Sequence, residues 1–314
     1  MIVSMGEESN CLACATHLAD LGRRTDARYG VCPRCGSVQL LDIPDEESLS
    51  ALYKDSYHSD GHYHESAEEH RVTRARVCQQ VVSLVAQGRN AHEDGLVVEL
   101  GAGWGNLGRL FLDQNIPYKG IEPNTVMVQA ARELGLDVEQ GSVSDLTDLD
   151  TGGAPVQTIV SMAVFEHLAE PERELLRMAE RVSSHGRIVL QCPTAGIPRV
   201  LGPMFKFGGR DRELPGFFGS LAPPWHVFLP SPQGLRILAE RCGLRVTQVV
   251  PSLSGRASDA RRFLQGGNEL VARVGHAAFG ESWPLSMAHV FVLERLNERE
   301  LSRTKNAGEE LRQR

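Results

Sequence analysis

Two rhythms of apolar and polar positions alternate along the chain. Short apolar or alternating runs at 96–100 (LVVEL), 118–123 (YKGIEP), 136–141 (LDVEQG), 156–162 (VQTIVSM), 186–192 (GRIVLQC), 244–250 (LRVTQVV) and 287–296 (MAHVFVLERL) predict seven strands. Between them apolar residues recur at helical spacing. Val72, Ala75, Val77, Val81, Val82 and Val85 mark a helix over 67–86, and Leu107, Leu110 and Phe111 mark a second. Asn124 caps a third that Gly135 ends, and Pro171 opens a fourth with Leu175, Leu176, Ala179 and Val182 on one side. Ser231 and Pro232 open a fifth, with Leu235, Leu238, Ala239 and Cys242 inward and Gly243 closing it. This order predicts an α/β protein: a doubly wound, Rossmann-like seven-stranded sheet with helices on both faces and the last strand inserted antiparallel.

The same pattern divides the chain. Residues 1–40 form a four-cysteine module, 41–95 a connector and helical lid with a short helix at 45–53, and 96–296 the α/β domain. Residues 193–226 are an insertion in that domain, and 297–314, poor in apolar residues, a fraying tail. The connector carries His58, His62 and His64 among Tyr53, Tyr57 and Tyr63. A second metal site is one reading of these histidines, but their spacing fits no standard ligand set; the segment reads rather as a flap over the site or a solvated loop, with Tyr57 a candidate substrate contact.

Cys11, Cys14, Cys32 and Cys35 form two C-x-x-C turns separated by 17 residues, and each turn brings two thiolates to one ion. Two such turns complete a tetrahedron, so this module is expected to hold a structural Zn2+ with no open coordination position. Cys78, Cys192 and Cys242 are scattered and expected to be buried small apolar groups.

A chain of 314 residues, 41% hydrophobic and 23% charged, has the balance of a soluble globular protein. Its net charge of -7 argues against general nucleic-acid binding, which needs a cationic surface. The start MIVSMGEESN lacks a basic segment followed by an apolar one, and no apolar run reaches membrane-spanning length, so a cytoplasmic protein is expected.

The chemistry centres on ELGAGWGNLG, residues 99–108. Read from Gly103 it is the G-x-G-x-x-G of dinucleotide loops; read from Glu99 it is E-x-G-x-G-x-G. Either reading puts a ligand at the carboxyl end of the first strand of the domain, with Glu122 placed to hold ribose hydroxyls. Three features favour the second. The glycines begin at Gly101, directly after the strand; Glu99 would repel a pyrophosphate but suits a cation; and Asp145 in GSVSDL can accept from an adenine amino group.

On ELGAGWG, IEPN, GSVSDL and the run SMAVFEHL to LQCP, the chain resembles class I S-adenosylmethionine-dependent methyltransferases. The four-cysteine element, LSALYKDSY and PPWHVFLPSPQGLRILAERCGL are similar to a zinc-ribbon subgroup acting on nucleotide-linked sugars and other natural products. The resemblance spans residues 10–250 and implies S-adenosylmethionine as cofactor. By it, Glu99, Gly101, Gly103 and Gly105 line the methionine part, Glu122 binds the ribose, Asp145 and the Leu146 backbone read the adenine, and Met162 and Ala163 lie near the sulfonium.

Methyl transfer needs alignment and, for a protonated acceptor, a base. His226 in PPWH is the favoured base and His167 in FEHL the second; either can instead be an anchoring or lining histidine. Trp225 can wall an apolar pocket. Phenylalanines at 205, 207, 217 and 218 with Arg199, Lys206, Arg210 and Arg212 suit a small acceptor with an apolar part and an anionic handle. Ser161-Met162-Ala163-Val164 replaces the Asn/Asp-Pro-Pro-aromatic signature of amide and exocyclic-amine methylation. The expected function is methylation of a small metabolite, a sugar or secondary metabolite. The rivals are an RNA methyltransferase using a mildly basic ribbon (Arg23, Arg24, Arg28, Arg34), a silent cofactor-binding protein, and hydride transfer with NAD.

Overall fold

The computed structural model describes residues 9–51, 67–87, 95–202, 214, 220–253, 262–297 and 300. The N-terminal module is an antiparallel sheet of β1 (Ala19–Arg24), β2 (Ala27–Val31) and β3 (Val38–Leu40). It is followed by α1 (Glu46–Ala51) and α2 (Ala67–Gln87).

The central β4 (Leu96–Leu100) is buried along its whole length, as its continuous apolar run requires. The chain then alternates α3 (Asn106–Asp113), β5 (Tyr118–Glu122), α4 (Thr125–Glu133), β6 (Val138–Gln140), β7 (Val156–Met162), α5 (Pro171–Arg181), β8 (Arg187–Pro193) and α6 (Gly196–Leu201). It closes with β9 (Phe228–Leu229), α7 (Pro232–Arg241), β10 (Leu244–Pro251), α8 (Arg262–Phe279) and β11 (Ala288–Arg295). Seven strands form one sheet in the order β10-β11-β8-β7-β4-β5-β6. β4 to β8 pair in parallel, and β11 runs antiparallel between β8 and β10, as expected from the sequence.

Strand alternation splits the core into two faces. Val98 and Leu100 pack toward Leu175, Met178, Leu235 and Leu238 of α5 and α7. Val97 packs toward Val81, Val82 and Val85 of α2 and toward Leu107 and Phe111 of α3. By the same alternation Glu99 lies on the α2–α3 face. Two of the predicted helix positions differ: Val72 (41% exposed) and Leu176 (39% exposed) lie outside the buried stripes, which Val77, Val81, Val82, Val85 and Leu175, Met178, Ala179 fill.

The four-cysteine module is joined to the large domain by backbone pairing. β9 pairs with β3, making a four-stranded sheet β1-β2-β3-β9. The Ser231 amide donates to Ser37 Oγ at 3.1 Å, and its hydroxyl donates to the Cys35 carbonyl while accepting from Gly234 N at 2.8 Å. Arg241 at the far end of α7 donates to the Ala13 carbonyl at 3.1 Å. The segment from Trp225 to Ser231 is therefore held by the cysteine module on one side and the large sheet on the other.

Candidate active site

The loop after β4 turns on left-handed glycines: φ is 74° at Gly101, 53° at Gly103 and 76° at Gly105. A side chain at Gly101 would meet Val164, and one at Gly105 would meet Leu136 and Ala131, whereas Gly103 faces open space. Gly108 serves another purpose. A Cβ there would lie 2.5 Å from the Tyr118 ring, so its absence lets that ring pack beneath α3. The G-x-G-x-x-G spacing thus combines a turn at Gly103 and Gly105 with a packing site at Gly108.

Tyr118 is what Glu99 rests on. Its hydroxyl donates to Glu99 Oε2 at 2.6 Å, and both residues are buried. Burial pushes the Glu99 carboxyl up to about 8; the Tyr118 bond opposes this and the charge of Glu122 adds to it. Glu122 ends β5 and accepts from Gly103 N and Asn124 N, both at 2.9 Å. Its pKa is also raised, by burial and against those two bonds. A carboxylate offers about four lone-pair directions, so hydroxyl groups of a ligand can still be accepted.

These residues open into a cleft of about 920 Å³ lined by Glu99, Gly101, Gly103, Glu122, Asp145, Met162, Ala163 and His167 of the expected set. Gly105 instead caps α3, and Leu146 is buried under a short 3-10 turn at 143–147. Asp145 is exposed, and its Oδ2 accepts from Ser142 N at 2.7 Å in a capping box. Ala163 takes φ 56°, a strained conformation for a residue with a Cβ, with its amide tied to the Gln191 carbonyl at 2.8 Å. Sequence reasoning missed His70 and Arg74, one turn apart on α2 and both lining the cleft. Their i, i+4 spacing beside the buried valines was the available signal. His70 Nδ1 lies 2.7 Å from Asn106 Nδ2, which ties α2 to the glycine loop; burial pushes His70 down to about 4.

The described lining carries seven carboxylates, Glu46, Glu47, Glu99, Glu122, Asp145, Glu170 and Glu174, against two guanidiniums, Arg74 and Arg173. Arg173 is already paired with Glu46, Glu170 and Glu174. Even with Glu99 protonated, acidic groups outnumber the guanidiniums, so the field in the cleft favours a cation over a pyrophosphate.

His167 lines the cleft; His226 packs against it with the rings tilted by 58° and their centroids 5.1 Å apart, and is not among the described lining residues. His167 Nδ1 is 2.7 Å from the Trp225 carbonyl, and His226 Nδ1 is 2.7 Å from the Ser220 carbonyl. A carbonyl can only accept, so each Nδ1 carries the proton and each Nε2 keeps a lone pair. Burial, then the charge of His226, push His167 down to about 3, against its backbone bonds; burial also lowers His226. Trp225 is buried and reaches this pair through its carbonyl, not as a described part of the cleft wall. Arg199 lies over the Gly36 turn of the cysteine module, away from the cleft. Tyr57, Arg210, Arg212, Lys206 and the histidines at 58, 62 and 64 lie outside the described residues.

Cys11, Cys14, Cys32 and Cys35 converge, their sulfurs all within 4.8 Å of one another. Sγ separations of 3.6 Å (Cys11–Cys35) and 3.4 Å (Cys14–Cys32) are too long for a disulfide of about 2.05 Å. They approach the edge of about 3.8 Å of a tetrahedron with metal–sulfur bonds of about 2.3 Å. Cys35 N donates to Cys32 Sγ at 3.4 Å, a bond that favours a thiolate. No described helix is long and apolar enough to cross a membrane.

The sequence pattern of the family described as "Methyltransferase domain" matches residues 69–249. An uncharacterised methyltransferase of Oceanobacillus iheyensis is 30% identical over 138 residues, 43% of this chain and 57% of that protein. One of Anoxybacillus flavithermus is 37% identical over 81 residues, 25% of this chain and 37% of that protein. The chain thus spans little more than half, or less, of the length of these relatives. Among solved structures, the complex of the Haloferax volcanii Trm112 methyltransferase activator with a putative methyltransferase aligns with a TM-score of 0.51 at 16% identity. That alignment covers 82% of this chain and 100% of the matched chain, a likeness of fold.

Proposed function

The chain belongs to the methyltransferase domain family, and from that premise we propose that it transfers the methyl group of S-adenosylmethionine to a small-molecule acceptor. The observation that carries this reading is buried Glu99 in the lining of an acidic glycine-loop cleft. A carboxylate there attracts an ammonium and a sulfonium and repels a pyrophosphate. In this reading Glu99, Gly101 and Gly103 take the methionine part, with Gly105 shaping the turn. Arg74 answers its carboxylate, Glu122 holds the ribose, Asp145 and Leu146 the adenine, and Met162 and Ala163 border the sulfonium.

The reaction is a displacement at carbon. The acceptor's electron pair forms the new bond as the carbon–sulfur bond breaks, and the sulfonium leaves as a neutral thioether. The protein's part is alignment, exclusion of water and removal of the acceptor proton. We assign proton removal to the His167–His226 pair, each ring of which is held through Nδ1 by a backbone carbonyl. His167, on the cleft wall, stands nearer the acceptor, and His226 behind it. The four cysteines are assigned a structural zinc, which would hold the module against α7. An anionic handle on the acceptor would fall to Arg210 and Arg212, with Tyr57 and Trp225 as further substrate contacts.

Incubation with methyl-labelled S-adenosylmethionine and a cell extract, with and without ribonuclease, tests the assignment. Label should enter a small-molecule fraction indifferent to ribonuclease. Label in RNA, or binding without transfer to any fraction, would overturn it.

A further inference from the structure

Glu166, beside His167 in the turn after β7, has been given no role. Its carboxyl is 1% exposed, and Oε2 has no hydrogen-bond partner among the described residues. Burial dominates and disfavours its charged form, against Arg74, the cation that acts on it. Oε1 lies 3.9 Å from His167 Nε2. One ligand atom each from Glu166, His167 and His226 falls within 4.8 Å of the others.

The two imidazoles are already arranged as ligands. Each gives its Nδ1 proton to a main-chain carbonyl, the outer-shell bond that fixes a metal-binding tautomer and turns Nε2 inward. Two imidazoles bound through Nε2 at about 2.0–2.1 Å on neighbouring tetrahedral positions carry their centroids about 5 Å apart. The observed separation is 5.1 Å. The backbone supports the cluster from both sides: Val227 N donates to the Glu166 carbonyl at 2.8 Å, and Tyr29 Oη to the His226 carbonyl at 3.4 Å.

We propose that Glu166, His167 and His226 bind a divalent transition-metal cation of the zinc class, at a site separate from the four cysteines. Two nitrogens and one carboxylate are a borderline-soft donor set that leaves a coordination position open, unlike the closed thiolate cluster. His167 puts that position at the cleft. The cation would give the unpartnered Glu166 Oε2 a direct partner. Binding is independent of the methyl-donor reading; its use rests on that reading. A cation there would lower the pKa of a coordinated acceptor hydroxyl, whose proton would pass to bulk solvent before the cleft closes on the methyl donor, leaving the oxygen its electron pair for attack on the methyl carbon. With their Nε2 atoms on the cation, His167 and His226 would act as its ligands, in place of serving as the base themselves.

The test is titration of the full-length protein, already carrying one equivalent of zinc, with Co2+ followed by calorimetry and absorption. The expected result is one further equivalent with d–d bands and no thiolate charge-transfer band. E166Q and H226Q should each weaken that binding at least tenfold, leaving the far-UV circular dichroism and the first equivalent unchanged. Failure of the wild-type protein to take a second equivalent overturns the proposal, as does a thiolate charge-transfer band or survival of the second equivalent in the double variant. S-adenosylmethionine calorimetry on the same sample reports separately on the methyl-donor reading.

Discussion

Replacing Glu99 with glutamine separates what the cleft needs from what the fold needs. Glu99 is fully buried, and its carboxyl is pushed from an ordinary 4.5 up to about 8. The sign follows from proton linkage. Between those values the unfolded chain has lost the proton and the folded protein keeps it, so stability falls as pH rises from 4.5 to about 8. The shift corresponds to about 5 kcal/mol withheld from the ligand-free protein above pH 8. A glutamine side chain has nearly the same volume, and its amide oxygen can still accept from Tyr118, but it stays neutral. Some of the gain is returned by burying an NH2 group, which leaves about 2–4 kcal/mol. E99Q should therefore unfold at a higher temperature than wild type at pH 9 and at nearly the same temperature at pH 5. Its affinity for S-adenosylmethionine should fall at least about tenfold, or about 1.4 kcal/mol. Thermal melts at the two pH values with calorimetry at pH 7.5 measure both. If E99Q melts no higher than wild type at pH 9, or binds S-adenosylmethionine equally well, Glu99 is not a charge held in reserve for a cationic ligand.

Two further changes probe the loop and the junction. Gly103→Ala puts a methyl into open space at a tolerated left-handed φ, so it should cost only about 1–2 kcal/mol of stability while obstructing cofactor binding. Gly105→Ala meets Leu136 at 2.4 Å and should cost clearly more in a denaturant melt; equal losses would refute this division. Ser231→Ala removes the cap of α7 and leaves the buried Cys35 carbonyl without its donor, and should cost about 2–3 kcal/mol. A loss under about 0.5 kcal/mol would mean that the cysteine module is not held through that residue.

The large sheet was legible because its signals are local. All seven strands were placed to within about two residues by apolar runs bounded by Gly, Pro and Asn, and Asn124 and Ser231 cap their helices as read. The cysteine cluster was legible because C-x-x-C geometry is nearly self-contained. What escaped notice depends on contacts distant in sequence. β9 is two residues long and becomes a strand by pairing with β3, some 190 positions earlier. His70 and Arg74 look like an ordinary solvated helix face until the glycine loop packs beside them. Arg199 was grouped with the insertion's cations, yet it covers the Gly36 turn. The preference for His226 over His167 rested on the length of the insertion, and only the packing shows His167 on the cleft wall. Val72 and Leu176 fit a helical spacing but fall at the edge of their stripes, where periodicity does not discriminate. The helix α8 was not anticipated, and it leaves Leu270, Val271 and Val274 exposed, which blurs its apolar face.

Calorimetric titration of the full-length protein with S-adenosylmethionine and, separately, with NAD is the most direct measurement of whether this cleft was built for a sulfonium or a pyrophosphate. The account predicts one equivalent of S-adenosylmethionine bound at pH 7.5, with a proton released as Glu99 ionises, and no heat from NAD. Binding of NAD with none of S-adenosylmethionine would contradict it.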